Sequence, residues 1–216
     1  MTEWQVGTLK DSKQTASDIK SLFFEIEDWP GHVAGQHCDF RLTAETGYQA
    51  ERSYSIVSAP GEKLIEFGVQ LLENGEVSPY LWQMKPGDQV EIKGPLGGHF
   101  IWTPDMSDPV VLIGGGSGIC PLLSIYHAAK GREMIFIESA KTADKIMYYE
   151  ELKNVLATRL TSTQGHVDEN FLKEKLSSIQ DLASNIYVCG PTAFVEAVAT
   201  SLVNLGFKNI KTERFG

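Results

Sequence analysis

The apolar positions follow two different patterns along the chain. Up to about residue 103, short β-rich apolar runs alternate with turn residues, and short strands at this spacing predict a small antiparallel barrel. Residues 78–84 depart from this pattern, because their apolar positions have helical spacing and follow Ser78, a residue type that can cap a helix. The predicted strands are WQVGTL, SLFFEIE, GQHCDFRL, RSYSIVS, KLIEFGVQLL and DQVEIKG.

After Trp102, apolar runs typical of buried strands alternate with helical segments. The strand runs are PVVLI, EMIFIES and NIYVC, and the predicted helices span residues 118–130, 148–156, 168–176 and 192–205. This order predicts a parallel sheet covered by helices on both faces. We therefore expect a two-domain fold, with an antiparallel β-barrel over residues 1–104, an α/β domain over residues 105–216 and a boundary within residues 103–108.

Charge and composition narrow the possible functions. Nineteen Lys and Arg against 28 Asp and Glu give a net charge of −9, which repels nucleic-acid phosphates and anionic lipids. The first twenty residues are mixed and polar, and no later segment approaches the length of a membrane span. We therefore expect a cytoplasmic protein that binds neither nucleic acid nor membrane.

The cysteines and histidines predict no metal site. Cys38, Cys120 and Cys189 are three in number and have no CxxC spacing, which indicates neither a disulfide framework nor a zinc site. A plant-type [2Fe–2S] cluster needs four thiolates. The five histidines have no metal-ligand spacing, and His32 and His37 are interpreted as turn and barrel residues.

A glycine-rich turn is the strongest candidate binding motif. Four glycines fall within residues 114–118, between an apolar strand and an apolar helix that has Pro121 in its first turn. Glycines at this place let the backbone approach a pyrophosphate, which the helix N-terminus attracts. The spacing is not GxGxxG, and no lysine completes a Walker loop, so an ordinary Rossmann or P-loop motif is not present.

Three weaker motifs accompany the glycine turn. In RSYS, strand alternation sends Arg52 and Tyr54 to one face and Ser53 and Ser55 to the other, a set able to bind a phosphate and a ring. In GEVSPYL, residues 75–81, the loop and helix start can meet a second phosphate, although simple capping by Ser78 explains the motif equally well. In VCGP, Cys189 ends a strand where open parallel sheets collect ligands, although buried packing is the usual role of a lone cysteine.

Taken in order, these motifs resemble those of the ferredoxin–NADP⁺ reductase superfamily. The order is RxYS, GxxSxxL, GPLGGHF in residues 94–100, GGGSGICP and CGP. The five cover nearly the whole chain, and the terminal TERFG is similar to the end of this module in bacterial stand-alone oxidoreductases. The resemblance implies a flavin held by the barrel, preferably FAD rather than FMN, and NADPH or NADH as the substrate that reduces it.

The resemblance also implies a role for each matching position. Ser55 near flavin N5, Cys189 beside the nicotinamide and Phe215 over the flavin are the implied catalytic residues. The implied flavin-binding residues are Arg52, Ser53, Tyr54, Ser55, Gly75, Val77, Ser78 and Phe215, and the implied nucleotide-binding residues are Gly114, Gly115, Gly116, Ser117, Gly118, Pro121, Ser139, Lys141, Cys189, Gly190 and Pro191.

Two departures from the family pattern bear on the choice of nucleotide. NADPH-preferring relatives commonly carry S-x-R after the second strand of the nucleotide domain, where this chain has Ser139, Ala140 and Lys141, and a frequent Gly-Arg pair is replaced by Gly165 and His166. Lysine attracts a 2′-phosphate as a point charge without the bidentate fork of arginine. The sequence therefore favours NADPH slightly.

The resemblance implies an electron acceptor outside the chain, such as ferredoxin, flavodoxin or an oxygenase component. One alternative within the enzyme class is a reductase subunit dedicated to a single oxygenase or dehydrogenase complex. From a different class, a regulatory nucleotide-binding module could keep the fold without turnover, although Arg52, Tyr54, Ser55 and Cys189 argue against it. The sequence contains no indication of the oligomeric state.

Overall fold

The N-terminal half forms an antiparallel barrel. The computed structural model describes residues 3–106 and 109–215. The first sheet has the strand order β4-β3-β6-β1-β2-β5, and a bridge between Ile56, just after β4, and Phe67 on β5 closes it. Its elements are β1 (Trp4–Ala16), β2 (Ile19–Ile26), β3 (His37–Thr43), β4 (Gln49–Ser55), β5 (Ile65–Gln70), α1 (Ser78–Gln83) and β6 (Gln89–Leu96).

Alternating apolar residues fill the barrel. Phe24, Phe40 and Phe67 come from three strands and are fully buried, with edge-to-face ring centroids 4.9 to 6.1 Å apart. Leu81 of α1 joins the same core, so the predicted helix closes the barrel as a plug. All six predicted barrel strands are present.

The C-terminal half is a parallel sheet of five strands in the order β11-β10-β7-β8-β9. The central strand β7 is buried at every position, as expected for a strand covered on both faces. The predicted two-domain fold class is therefore confirmed. The elements are β7 (Val110–Gly115), α2 (Ile119–Ala128), β8 (Met134–Ala140), α3 (Tyr149–Leu152), β9 (Leu156–Leu160), α4 (Thr161–Gln164), α5 (Glu169–Lys175), β10 (Asn185–Pro191), α6 (Thr192–Asn204) and β11 (Ile210–Phe215).

Two strands of this sheet were not predicted, and one predicted helix is mostly wrong. The helix expected over residues 148–156 is limited to Tyr149–Leu152, and Leu156 begins strand β9. Strand β11 follows α6 at the opposite edge. Both are edge strands with mixed polar sequences and only partly buried residues, so neither shows the continuous apolar run that identifies a buried strand.

Helix α2 lies against the barrel and fixes how the two domains meet. Its Ser124 hydroxyl donates to the Ser58 carbonyl at 2.8 Å. A Cβ on Gly68 of β5 would lie only 2.3 Å from the sulfur of Cys120, so this glycine lets the helix approach the strand closely.

The chain passes from the barrel to the parallel sheet between Trp102 and Val110. Trp102 still bridges to Ala34 of the barrel, and β7 of the second sheet begins at Val110. Residues 107 and 108 of the predicted boundary, residues 1 and 2, and the final glycine of TERFG lie outside the described residues. None of the helices in the described part of the chain is long and apolar enough to cross a membrane.

Candidate functional site

Two adjoining cavities open in the cleft between the domains. The first has a volume of about 750 Å³ and the second about 720 Å³, both within the range of cofactor sites. Gln70 and Pro191 line both cavities, so ligands in the two would be neighbours. The first cavity is bordered by β4, the loop before α1 and the ends of β10 and β11, and the second by the glycine turn and the ends of β8 and β10.

The RSYS segment of β4 borders the first cavity. Arg52, Ser53, Tyr54 and Ser55 all line it, although strand alternation divides them between two faces. Because β4 is the end strand of the sheet order, the cavity can reach side chains on both of its faces. The structure therefore brings together all four residues that the motif predicted.

Tyr54 forms an aromatic wall of this cavity. Its ring meets Phe40 edge to face, with ring centroids 5.2 Å apart, so packing from the barrel core holds its orientation. Burial raises the pKa of the Tyr54 hydroxyl to about 12. The side chain is therefore a neutral, fixed ring that a flat aromatic ligand can stack on.

Arg52 lies at the rim of the cavity, within reach of the loop before α1. Its Nη2 is 2.7 Å from Oε2 of Glu76, and its side chain is 54% exposed. The Tyr48 hydroxyl donates to the other oxygen of Glu76 at 2.5 Å, and this bond, together with Arg52, lowers the pKa of Glu76. A phosphate bound at this rim would replace the Glu76 carboxylate as the partner of Arg52.

Of the two interpretations of this motif, simple capping of α1 by Ser78 is wrong. The cap position is Val77, and the cap makes no side-chain hydrogen bond. The Ser78 hydroxyl instead accepts a hydrogen bond from the Leu72 backbone N–H at 3.1 Å, because the preceding loop folds back over it. A Cβ on Gly75 would lie 3.0 Å from this hydroxyl. Gly75, Val77 and Ser78 all line the first cavity.

The glycine turn joins β7 to α2 through one turn of 3₁₀ helix over residues 116–118. Gly115 and Gly116 line the second cavity, and Ser117 lines the first. Gly116 has φ of +55°, a conformation that favours glycine. A Cβ on Gly118 would lie 2.3 Å from the Cys189 carbonyl oxygen, so this glycine lets the turn contact β10 directly.

Gly114 and Pro121 belong to the motif but line neither cavity. A Cβ on Gly114 would lie 2.5 Å from the Ile119 side chain, and Pro121 is buried in α2. Both residues therefore support the turn by packing with helix α2. Gly118 likewise lines neither cavity, and its close approach to β10 supports the turn from the other side.

The end of β10 forms the wall between the cavities. Cys189 lines the first, Pro191 lines both, and Gly190 lies against Gly115 and the Phe194 ring without lining either. Cys189 is 2% exposed, and burial raises the pKa of its thiol, with Glu213 adding to the effect. A neutral thiol shapes the cavity but is not a nucleophile.

The second cavity collects the residues predicted from the nucleotide domain. Ser139 and Lys141 line it together with His166. Sequence analysis missed Lys145, whose Nζ lies 2.6 Å from Oδ2 of Asp18. Asp18 comes from the β1–β2 turn of the barrel, so no motif local to the nucleotide domain could have identified this pair.

The first cavity contains two further residues that sequence analysis missed. His37 and Glu213 line it beside Phe215, which is 37% exposed. One signal was present: Glu213 is two residues before Phe215, which places both on one face of β11. Residues 3–106 and 109–215 contain no cluster of three or more His, Cys, Asp or Glu side chains suited to a metal ion.

Glu138 on β8 supports the loop that carries Lys141 and Lys145. Its Oε1 accepts a hydrogen bond from the Met147 backbone N–H at 2.9 Å, its Oε2 is buried without a partner, and burial raises its pKa to about 8. Because the unfolded carboxyl ionises at lower pH, this residue's contribution to stability is complete below about pH 4.5 and is lost as the pH rises towards about 8.

Replacing Glu138 by glutamine keeps the acceptor for Met147 and removes the titration. At about pH 8 we expect the Glu138→Gln variant to unfold roughly 3–6 °C above the unmodified protein, with no gain at about pH 5. Thermal unfolding of both proteins at both pH values measures the difference. An equal pH dependence in the two proteins would show that Glu138 is ionised in the folded state.

Comparison with known proteins agrees with the division into a barrel and an α/β domain. The family model described as oxidoreductase FAD-binding domain matches residues 7–101, and that described as oxidoreductase NAD-binding domain matches residues 112–200. The first match contains the RSYS and GEVS segments, and the second contains the glycine turn and the end of β10.

Similar proteins include flavohemoproteins and cytochrome b5 reductases. Flavohemoprotein A of Dictyostelium discoideum is 28% identical over 252 residues, covering 100% of this chain and 63% of that protein. NADH-cytochrome b5 reductase 2 of Meyerozyma guilliermondii is 26% identical over 223 residues, covering 91% of this chain and 75% of that protein. This chain therefore spans less than two thirds of the flavohemoprotein.

A solved structure shows the same fold over nearly the full length of both chains. It is a ferredoxin NADP⁺ reductase from Neisseria gonorrhoeae with bound FAD and NADP, with a TM-score of 0.82, 18% identity and coverage of 98% of each chain. The two domain matches and the shared fold agree with the motif order in the sequence. The chain belongs to the ferredoxin–NADP⁺ reductase superfamily of FAD- and NAD(P)-binding oxidoreductases.

Proposed function

We propose that this chain passes electrons from a reduced nicotinamide nucleotide, through bound FAD, to a separate redox protein. The observation that carries this proposal is the pair of adjoining cavities that share Gln70 and Pro191. One cavity contains an aromatic wall and a cationic rim, and the other contains a glycine turn and lysines. Two ring systems bound there would meet at the shared wall, where proximity supplies much of the catalysis.

The first cavity fits a flavin. The space beside Tyr54 is open rather than filled by side chains, and Arg52 at the rim can bind a phosphate in place of Glu76. A bound flavin supplies hydride acceptance and the release of electrons one at a time, which no side chain here can do. We assign flavin binding to Arg52, Ser53, Tyr54, Ser55, Gly75, Val77, Ser78 and Phe215, with Ser55 hydrogen-bonding near the reactive edge.

The second cavity fits a dinucleotide. We assign the phosphates to Gly115, Gly116 and Ser117, with Gly114, Gly118 and Pro121 supporting the turn, and the nicotinamide edge to Cys189, Gly190 and Pro191. Ser139 and Lys141 would face the adenosine ribose. Lys141 and His166 in one cavity support a modest preference for NADPH over NADH, because both side chains can approach a 2′-phosphate.

The acceptor is proposed to be an external redox protein such as ferredoxin, flavodoxin or an oxygenase component. Ferredoxin and cytochrome b5 appear in the names of two similar proteins, which supports a redox protein as the acceptor. The three cysteines are buried and unpaired, too few to bind a [2Fe–2S] cluster in this chain. Unpaired thiols also support our proposal of a cytoplasmic location. We further propose that the two domains span residues 1–104 and 105–216.

Anaerobic mixing of the purified, flavin-loaded chain with NADPH and with NADH tests the function. We expect the flavin absorption band to bleach with at least one nucleotide, faster with NADPH, and to return when an acceptor protein is added. If neither nucleotide bleaches the flavin, the proposed function is wrong. A strong preference for NADH would contradict only the assignment of Lys141.

A further inference from the structure

An ion pair between Asp18 and Lys145 joins the two domains at the second cavity. Asp18 lies in the turn between β1 and β2 of the barrel, and Lys145 ends the short 3₁₀ turn that follows β8. Lys145 Nζ is 2.6 Å from Asp18 Oδ2, and the lysine and aspartate side chains are 35% and 22% exposed. Both residues line the second cavity, so a ligand bound there would lie beside the pair.

The backbone joins the same two segments independently of these charges. The Ser17 N–H donates to the Asp144 carbonyl at 2.9 Å, which connects the barrel turn to the loop after β8. The Lys145 N–H donates to the Thr142 carbonyl at 3.1 Å, which closes the turn within that loop. The Lys145 side chain can therefore change its partner while the turn and the loop stay together.

Gln70 connects this ion pair to the wall between the two cavities. Its Nε2 donates to Oδ2 of Asp18 at 3.0 Å, and Gln70 lines both cavities. Lys141 is assigned instead to the adenosine ribose. Because a pyrophosphate connects the nicotinamide half of a dinucleotide to the adenosine half, Lys145 is the better placed of the two lysines to meet it.

The charges of the second cavity make Asp18 a competitor for Lys145. Among the described residues that line this cavity, Lys141 and Lys145 are the two lysines and Asp18 is the one carboxylate. The glycine turn itself contains no cation. A pyrophosphate bound there is repelled by Asp18 and attracted by the lysine ammonium groups, and one of these is already in contact with Asp18.

Asp18 depends on Lys145 for part of its own hydrogen bonding. Within the described residues, its Oδ1 is buried without a hydrogen-bond partner. Gln70 and Lys145 both donate to the other oxygen, Oδ2. Moving Lys145 to another anion leaves the carboxylate with fewer donors, which is unfavourable for a partly buried charge, and this opposes nucleotide binding.

We propose that Asp18 competes with the nucleotide pyrophosphate for Lys145, and thereby sets the affinity of the second cavity for NADPH and NADH alike. The proposal rests on the proposed function. In the unbound protein Lys145 pairs with Asp18, and when a dinucleotide binds, the ammonium group turns to the pyrophosphate while Gln70 remains with Asp18. A residue of the barrel thus controls nucleotide affinity, although the NAD-binding family model matches only residues 112–200.

The first test measures binding without turnover. The oxidised, flavin-loaded protein is titrated with NADP⁺ and with NAD⁺ in a calorimeter. Asp18→Asn keeps an acceptor for Gln70 and removes the charge, so we expect it to bind both nucleotides about 3–10-fold more tightly. Lys145→Gln replaces a charge-assisted hydrogen bond by a neutral one, so we expect it to bind both about 5–20-fold more weakly.

The double variant tests whether the two residues act on each other. In the Lys145→Gln background, the gain from Asp18→Asn should fall to less than about twofold, because no ammonium group remains to be released. Independent structural roles would instead give the same gain in both backgrounds. Additive effects of the two substitutions would therefore overturn the proposed competition.

Glu150 and Lys153 provide a matched control pair. Lys153 Nζ is 2.7 Å from Glu150 Oε2 in the same domain, and neither residue lines a cavity. Glu150→Gln and Lys153→Gln should leave both nucleotide affinities unchanged, as expected for an exposed pair away from the ligand. If Lys145→Gln weakened the binding of NADP⁺ alone, the lysine would contact the 2′-phosphate and the pyrophosphate assignment would be wrong.

The outcomes distinguish this inference from the function itself. Bleaching of the unmodified chain by a reduced nucleotide supports the proposed function whatever the variants do. A chain that bleaches but shows additive effects contradicts only the competition, whereas a chain that binds neither nucleotide contradicts both proposals. Flavin content and thermal unfolding report on the folding of each variant. If Lys145→Gln does not fold, Asp18→Asn decides the question, since an unchanged affinity there would overturn the proposal.

Discussion

Replacing Gly118 by alanine is expected to slow nucleotide-dependent bleaching of the flavin by about 100-fold or more. A displacement of about 1 Å between reacting groups is enough to lower the reaction rate by this factor. The added Cβ would lie 2.3 Å from the Cys189 carbonyl oxygen and 2.7 Å from the Gly190 Cα. Both are backbone atoms, so no side-chain rotation relieves the overlap and the turn must separate from β10. We also expect a loss of about 2–4 kcal/mol in stability.

Gly98 provides the matched control. A Cβ on Gly98 meets nothing within 4 Å, and its φ is not in the left-handed region, so Gly98→Ala should leave both quantities unchanged. Anaerobic bleaching rates and thermal unfolding are measured for the two variants, with flavin content to show that the barrel is intact. Equal behaviour of the two variants would mean that the contact between the turn and β10 does not position the nucleotide.

Replacing Arg52 by alanine is expected to weaken flavin binding by roughly 10–100-fold. Hydrogen bonds to a charged group contribute about 1.5–3 kcal/mol, and the exposed rim position of Arg52 suits a phosphate rather than a structural pair. Glu76→Gln should act in the opposite direction and strengthen binding by a few-fold, since it removes the anion that competes for Arg52. Titration of flavin fluorescence against flavin-free protein measures both affinities.

Arg41 supplies the control for this pair of variants. It also contacts a glutamate, with Nη2 2.6 Å from Oε1 of Glu91, but it lies outside the first cavity. Arg41→Ala should therefore leave flavin affinity unchanged. If Arg52→Ala binds flavin as tightly as Arg41→Ala does, the phosphate of the flavin lies elsewhere.

The barrel and the centre of the parallel sheet could be predicted because the burial of their strands leaves recognisable apolar patterns in the sequence. Short β-rich apolar runs between turn residues identified the barrel strands, and continuous apolar runs identified β7, β8 and β10. The edge strands β9 and β11 could not be predicted in this way. Their side chains are only partly buried, and their pairing partners are distant in sequence.

The candidate site was predicted as far as its residues belong to local motifs. Arg52, Tyr54 and the glycine turn fall in motifs of a few residues, and the structure brings them to one cleft. His37 and Glu213 are 176 positions apart in the sequence. They meet only because β3 and β11 face each other across the cleft. Such a contact depends on how the domains pack, which no local pattern contains.

The position of α1 could be predicted from the sequence, but the hydrogen-bond partner of Ser78 could not. The helix was predicted at the right place because its apolar spacing is local. The partner of the Ser78 hydroxyl was not, since it is the backbone of Leu72 in a loop that folds back over the helix start. Hydroxyl side chains near helix starts have several competing backbone partners, and the loop conformation decides between them.

The most direct measurement is the absorption spectrum of the purified chain, followed by identification of any flavin that it releases on denaturation. We predict a yellow protein that releases FAD in about equimolar amount, because the cavity beside Tyr54 is open and bordered by Arg52. A colourless protein that cannot be reconstituted with either FAD or FMN would contradict the assignment of this cavity to a flavin.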